Sequence, residues 1–66
     1  MTDSELVGRV EVLVDGASVK RVLAALSMVC EMKAGHIRES WQDEELSREW
    51  HKVACAIERL EGKTEV

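Results

Sequence analysis

The sequence contains no proline, phenylalanine or tyrosine, and its only aromatic residues are Trp41 and Trp50. Because proline is missing, no segment is barred from a helix interior, and Ala, Leu, Glu, Lys, Arg and Met all favour helix. Only two cysteines occur, Cys30 and Cys55, so the disulfide framework of many small secreted domains is excluded. These features predict an all-α protein that is held together by side-chain packing.

Long apolar runs are also missing, because no run of apolar residues in the sequence is long enough to span a bilayer. Residues 1–6 are acidic and have no apolar core, so no signal peptide is predicted, and we expect a cytoplasmic protein. Basic residues are outnumbered, because nine Lys and Arg against 13 Asp and Glu give a net charge of −4. This charge argues against binding to nucleic acid or anionic membranes, which require a basic surface.

A chain of 66 residues permits one small domain, residues 1–66. A domain of this size buries only about 60% of the surface that its unfolded chain exposes. Small domains therefore often need a disulfide, a metal ion or a second subunit for stability. Since disulfides are not expected here, the size of the chain favours self-association.

The first predicted helix covers residues 3–14. Thr2 and Glu5 match a capping box at its start, and Gly16 is expected to end it in a left-handed conformation. Apolar residues follow at helical spacing, at Leu6, Val7, Val10, Leu13 and Val14. The alternating valines of residues 10–14 also fit a strand. Helix is the preferred interpretation, because Leu13 breaks the alternation.

The second predicted helix covers residues 19–40, with Ser18 as its N-cap, and the third covers residues 44–61, with Asp43 as its N-cap. The apolar stripe of the second helix comprises Val19, Val22, Leu23, Leu26, Val29, Cys30, Ala34, Ile37 and Trp41. The stripe of the third comprises Leu46, Trp50, Val53, Ala54, Ile57 and Leu60. Gly62 is expected to end the third helix and to leave residues 63–66 as a frayed tail.

The short break between the two long helices predicts an antiparallel helical hairpin. In this hairpin, Ile37 should lie near Trp50 and Val29 near Ile57, because both helices rise by the same distance per residue. The N-terminal helix is expected to cross the open end of the hairpin and to cover its core. The hairpin should then dimerise into a helical bundle.

A second row of small and flexible apolar residues lies on another face of the central helix, at Ala24, Ala25, Met28 and Met32. A helix with one buried face does not need this row. The alternative to self-association is that the N-terminal helix covers the row and the protein is a monomer. Small residues allow helices to approach closely, and methionine adapts to irregular surfaces. Trp41 lies at the tip of the hairpin, where it either caps the core or stands half-exposed, as is typical of an interaction site. These five residues form the predicted interaction surface of a homodimer or a protein complex.

Metal binding is a second hypothesis, because His51 and Cys55 lie four residues apart on one helix face, with Glu58 nearby. A two-fold dimer would bring two such pairs together and complete four ligands. His36 and Glu39 are spaced in the opposite order to the Glu-x-x-His motif of carboxylate-bridged di-metal helical proteins. No other cofactor is predicted.

The sequence therefore favours a small non-catalytic interaction or regulatory module. Enzymatic activity is not expected, because there is no glycine-rich phosphate loop, and three helices of this size offer no obvious cleft. A DNA-binding regulator is a further alternative, supported only by Lys20 and Arg21 after an interhelical turn. A Cys30–Cys55 disulfide is not expected, because the two side chains occupy different faces of their helices.

Overall fold

A computed structural model describes all residues, 1–66, as three α-helices without a strand. The helices are α1 (Asp3–Gly16), α2 (Val19–His36) and α3 (Glu44–Lys63), and one π-helical turn (Ile37–Trp41) extends α2. The helices α2 and α3 form an antiparallel hairpin, as predicted, with α1 as a shorter N-terminal helix. None of the three is both long enough and apolar enough to cross a lipid bilayer.

Each helix begins at the polar residue that the sequence indicated. A backbone N–H of the first turn donates to a capping side-chain oxygen at 3.0–3.2 Å in all three helices. The pairs are Glu5 with Thr2, Arg21 with Ser18, and Leu46 with Asp43. These bonds satisfy backbone donors that a helix start otherwise leaves free. The strand alternative for residues 6–14 is wrong, because they lie within α1.

Gly16 is the last residue of α1, as predicted, but it is not left-handed, because no glycine has a positive φ. The predicted stop at Gly62 is wrong, since α3 continues to Lys63. Both helices instead end with a backbone hydrogen bond from the next residue, from Ala17 N–H to Leu13 O at 3.0 Å in α1. Glycine inside a helix costs only about 1 kcal/mol relative to alanine, so the end bonds and the packing decide where the helices stop.

The left-handed residue of this chain is Gln42, at φ 54° and ψ 29°. It follows the π-helical turn and reverses the chain before Asp43 caps α3. Left-handed backbone costs a residue with a Cβ roughly 1–2 kcal/mol. The hairpin turn therefore stores strain at one position.

We expect Gln42→Gly to stabilise the protein by about 0.5–1 kcal/mol, because glycine adopts this conformation without steric cost. Urea unfolding followed by circular dichroism would measure the change. Gln42→Ala is the matched control and should be neutral or destabilising, since alanine keeps the Cβ. Equal effects of both substitutions would show that the left-handed backbone at residue 42 is not strained.

The interface between α2 and α3 is built from small residues. The buried side chains are Cys30, Ala34, Ile37, Ser47 and Ala54. The Ser47 hydroxyl donates to the main-chain oxygen of Ala34 at 2.8 Å, which satisfies the one buried polar side chain. We name these five residues the hairpin seam. Because its members are mostly small, the two helices approach closely and enclose only a thin core.

The register of the hairpin differs from the prediction by about one helical turn. The sequence pattern paired Ile37 with Trp50, whereas the structure pairs Ala34 with Ser47 through their hydrogen bond. One turn further from the tip, Glu31 meets His51. The π-helical turn lies at the closed end of the hairpin and contributes the buried Ile37.

The C-terminal residues also depart from the prediction, since they fold back on the start of α2. The Lys20 backbone N–H donates to the main-chain oxygen of Val66 at 3.2 Å. The Lys20 ammonium lies 3.5 Å from the Glu61 carboxylate and donates to the main-chain oxygen of Thr64 at 3.4 Å. The expectation of a frayed tail over residues 63–66 is therefore wrong.

Helix α1 does not cover the hairpin core. It packs against α2 alone and has no buried residue, so the expectation that it would close the open end is wrong. The three helices lie in a flat layer with extents of 37 × 30 × 14 Å. Its thin dimension is close to the diameter of one helix with its side chains.

Candidate functional site

An open apolar groove runs between α1 and α2. It measures about 480 Å³, and Arg21 is the one polar residue along it. Its apolar walls include Val10, Leu13, Val22, Ala25, Leu26 and Val29. Leu13 is 58% exposed, although leucine is among the residues most often fully buried in folded domains. The groove is therefore apolar surface that this chain alone leaves uncovered.

Three exposed apolar residues of α3 continue this surface, Leu46, Val53 and Leu60. Glu31 and His51 meet on one side of the hairpin. Val29 precedes Glu31 by two residues and Val53 follows His51 by two, so each lies about 200° around its helix from that contact. Both valines therefore lie on the opposite side of the layer. We name the groove walls together with Leu46, Val53 and Leu60 the apolar face.

The dimensions of the chain show how much of it remains uncovered. Its accessible surface is 5445 Å², whereas a folded monomer of 7.4 kDa typically exposes about 4,200 Å². Its radius of gyration is 13.5 Å, against about 11 Å for a globular domain of this length. Both differences follow from the flat arrangement, in which no second layer packs on the apolar face.

The predicted interaction row is not one surface in the structure. Ala24 is half-buried, and Ala25 lines the groove. Met28 and Met32 line a shallow pocket with Glu58 on the side of the layer opposite the apolar face. Both methionines are exposed, and so is Trp41 at the hairpin tip, with 73% of its surface accessible.

The sequence interpretation assigned five residues to the core that lie on the surface of the structure. They are Leu26, Val29, Leu46, Val53 and Leu60. All five are exposed in the structure. The sequence feature that could have identified these residues as surface is the small size of Ala34, Ser47 and Ala54. Small residues at facing positions mark where two helices approach most closely, and larger neighbours on the same stripes are then displaced to its side.

The opposite side of the layer carries a polar cluster of Glu31, His51 and Cys55. The ring of His51 contacts both neighbours, with Nδ1 2.7 Å from Glu31 Oε1 and Nε2 3.5 Å from Cys55 Sγ. The three side chains bring potential metal-ligating atoms within 4.8 Å of one another. The predicted pair of His51 and Cys55 is thus brought together. The carboxylate in the cluster belongs to Glu31, which the sequence interpretation missed, and not to Glu58.

The cluster orders a thiol, an imidazole and a carboxylate in one line. This order occurs in cysteine hydrolases, where hydrogen-bond donors must also stabilise an oxyanion. Cys55 lies inside α3, where the backbone N–H groups are used in helical hydrogen bonds. The backbone N–H groups beside the thiol are therefore not free to bind an oxyanion, whereas the three side chains supply potential metal-ligating atoms.

The two residues of the nucleic-acid alternative, Lys20 and Arg21, occupy different surroundings. The Lys20 ammonium is paired with Glu61 at the C-terminal end of α3, whereas Arg21 borders the apolar groove.

No protein-family model, curated protein or solved structure matches this chain. Its function is therefore inferred from two features, the apolar face and the cluster of Glu31, His51 and Cys55.

Proposed function

We propose that this protein is a non-catalytic helical interaction or regulatory module that acts through self-association. Two copies pack their apolar faces together around a two-fold axis and form a helical bundle. The observation that carries this proposal is the apolar face itself, which extends over all three helices and is uncovered in the single chain. Large contiguous apolar surfaces are typical of interfaces.

The accessible area that each chain exposes beyond a typical monomer matches the area that a stable dimer interface buries. Each chain exposes about 1,200 Å² more than a typical monomer of its mass. If a second copy covered that excess, the interface would bury about 2,400 Å² in total, which lies in the range of obligate homodimers. The two hairpins would then share one core of four helices, with an α1 helix at each edge.

A second copy on the apolar face leaves other exposed apolar groups free. Trp41 lies at the hairpin tip, and Met28 and Met32 lie on the opposite side of the layer. These groups suit a protein partner that binds the assembled dimer. Cys30 and Cys55 are both free thiols, which supports a reducing compartment such as the cytoplasm.

Sedimentation equilibrium over a series of concentrations tests the self-association. We expect a species of twice 7.4 kDa at micromolar concentrations, with dissociation on dilution. Small-angle scattering of the same samples should show a globular particle rather than a flat layer. A single 7.4 kDa species up to about 100 μM would overturn the proposal, since an interface of this size is expected to bind more tightly.

A further inference from the structure

We propose that His51 and Cys55 bind one zinc-class cation per chain, with Glu31 holding the imidazole in the binding orientation. This site lies on the side of the layer opposite the apolar face, and it does not depend on the proposed self-association. The side chains of His51 and Glu31 are 58% and 50% exposed, so a cation can reach the cluster from solvent.

The spacing of the two ligand atoms fits tetrahedral coordination. Zinc binds sulfur at about 2.3 Å and imidazole nitrogen at about 2.0–2.1 Å, so a tetrahedral angle places the two ligands about 3.5 Å apart. Cys55 Sγ and His51 Nε2 are 3.5 Å apart. A cation can therefore enter between these atoms without a change in the α3 backbone, because both side chains project from adjacent turns of one helix.

Glu31 fixes the ring nitrogen that faces the cation. Its carboxylate accepts a hydrogen bond from the Nδ1–H of His51 at 2.7 Å, which leaves the lone pair on Nε2 directed toward Cys55. Metal-binding histidines commonly donate their second ring N–H to a carboxylate in this way. Glu31 belongs to α2, so the hairpin register aligns the ring with Cys55.

Charge and chemistry limit the class of ligand. A thiolate and an imidazole prefer zinc and similar soft or borderline cations to magnesium or calcium. The net charge of −4 and the nearby Glu31 carboxylate favour a cation over an anion. Binding converts the thiol to a thiolate and releases its proton, so affinity should fall as the solution becomes more acidic.

Cobalt(II) titration is the test, because Co²⁺ bound to a thiolate gives a near-ultraviolet charge-transfer band and a tetrahedral site gives visible bands. The full chain, reduced with a non-thiol reductant, is titrated with Co²⁺ and then with Zn²⁺ in competition. We expect saturation at one cation per chain and displacement by Zn²⁺. Saturation at one cation per two chains would contradict the proposal, because the cluster lies within one chain and on the side opposite the apolar face.

Variants assign the ligands. Cys55→Ser should abolish the charge-transfer band, and His51→Ala should weaken Co²⁺ binding at least about tenfold. Glu31→Gln should keep the band and weaken binding about 10- to 100-fold, as expected of a positioning residue. Cys30→Ala is the matched control, because it removes the buried thiol of α2 and should leave the band unchanged.

Two other results would overturn the site. One is the absence of a thiolate band in the wild-type chain at millimolar Co²⁺. The other is a band of equal strength in Cys55→Ser, which would assign the signal to Cys30. Circular dichroism of each variant establishes that it is folded before its affinity is compared.

Discussion

Replacing Val29 with glutamate is expected to turn the proposed dimer into a monomer and to raise its dissociation constant at least a hundredfold. Val29 lies in the groove wall and is half-exposed in the single chain, so the hairpin seam does not need it. In a two-fold dimer the substitution places two carboxylates against apolar surface. Burial of unpaired charge costs several kcal/mol, and each 1.4 kcal/mol is a factor of ten. Sedimentation equilibrium measures the shift.

Val12→Glu is the matched control, because it makes the same substitution in α1 at a residue that is 70% exposed and does not line the groove. Residue 12 lies about 160° around the helix from Val10 and about 100° from Leu13, which do line it. The control should remain a dimer. Met32→Glu separates the two candidate surfaces. If Met32→Glu dissociates the dimer and Val29→Glu does not, the subunits meet on the methionine side and the apolar face has been misassigned.

Replacing Ala54 with leucine is expected to destabilise the fold by about 2–3 kcal/mol, the upper part of the range for overpacked cores. Ala54 is only 1% exposed and lies in the hairpin seam, where the larger side chain would force α2 and α3 apart. A chain of 66 residues has a total stability of about 3–10 kcal/mol, so the loss is a large share of it. Urea unfolding at fixed chain concentration gives the difference.

Ala56→Leu is the control for this substitution, since it makes the same chemical change two residues away on the exposed side of α3. It should alter the free energy of unfolding by less than about 0.5 kcal/mol. If both leucine variants unfold at the same urea concentration as the wild type, the two helices do not approach closely at Ala54. The seam would then not be what holds the hairpin together.

The Ala54 and Val29 variants test two different sets of contacts, those within one chain and those between chains. The hairpin seam joins α2 to α3 within a chain through small side chains, and the larger apolar residues stand beside it on the apolar face. A variant of the seam should lower stability at every concentration. A variant of the apolar face should act mainly through association, and its effect on unfolding should depend on chain concentration.

The sequence determined the three helices and where they start. Thr2, Ser18 and Asp43 cap the helices as predicted, because an N-cap bond forms between residues three apart and needs no tertiary contact. The break near residue 42 likewise predicted an antiparallel hairpin. The contact of His51 with Cys55 could be predicted for the same reason, since side chains four residues apart are neighbours on any α-helix.

Only the tertiary structure decided the register of the hairpin, and with it which apolar residues are buried. The stripes of α2 and α3 are wider than the contact between two helices, so helical spacing could not separate Ala54 in the seam from Val53 on the apolar face. The π-helical turn and the left-handed Gln42 form the connection between the two aligned helices. That alignment brings Glu31 of α2 to His51 of α3, a contact between residues twenty positions apart that no local pattern specifies.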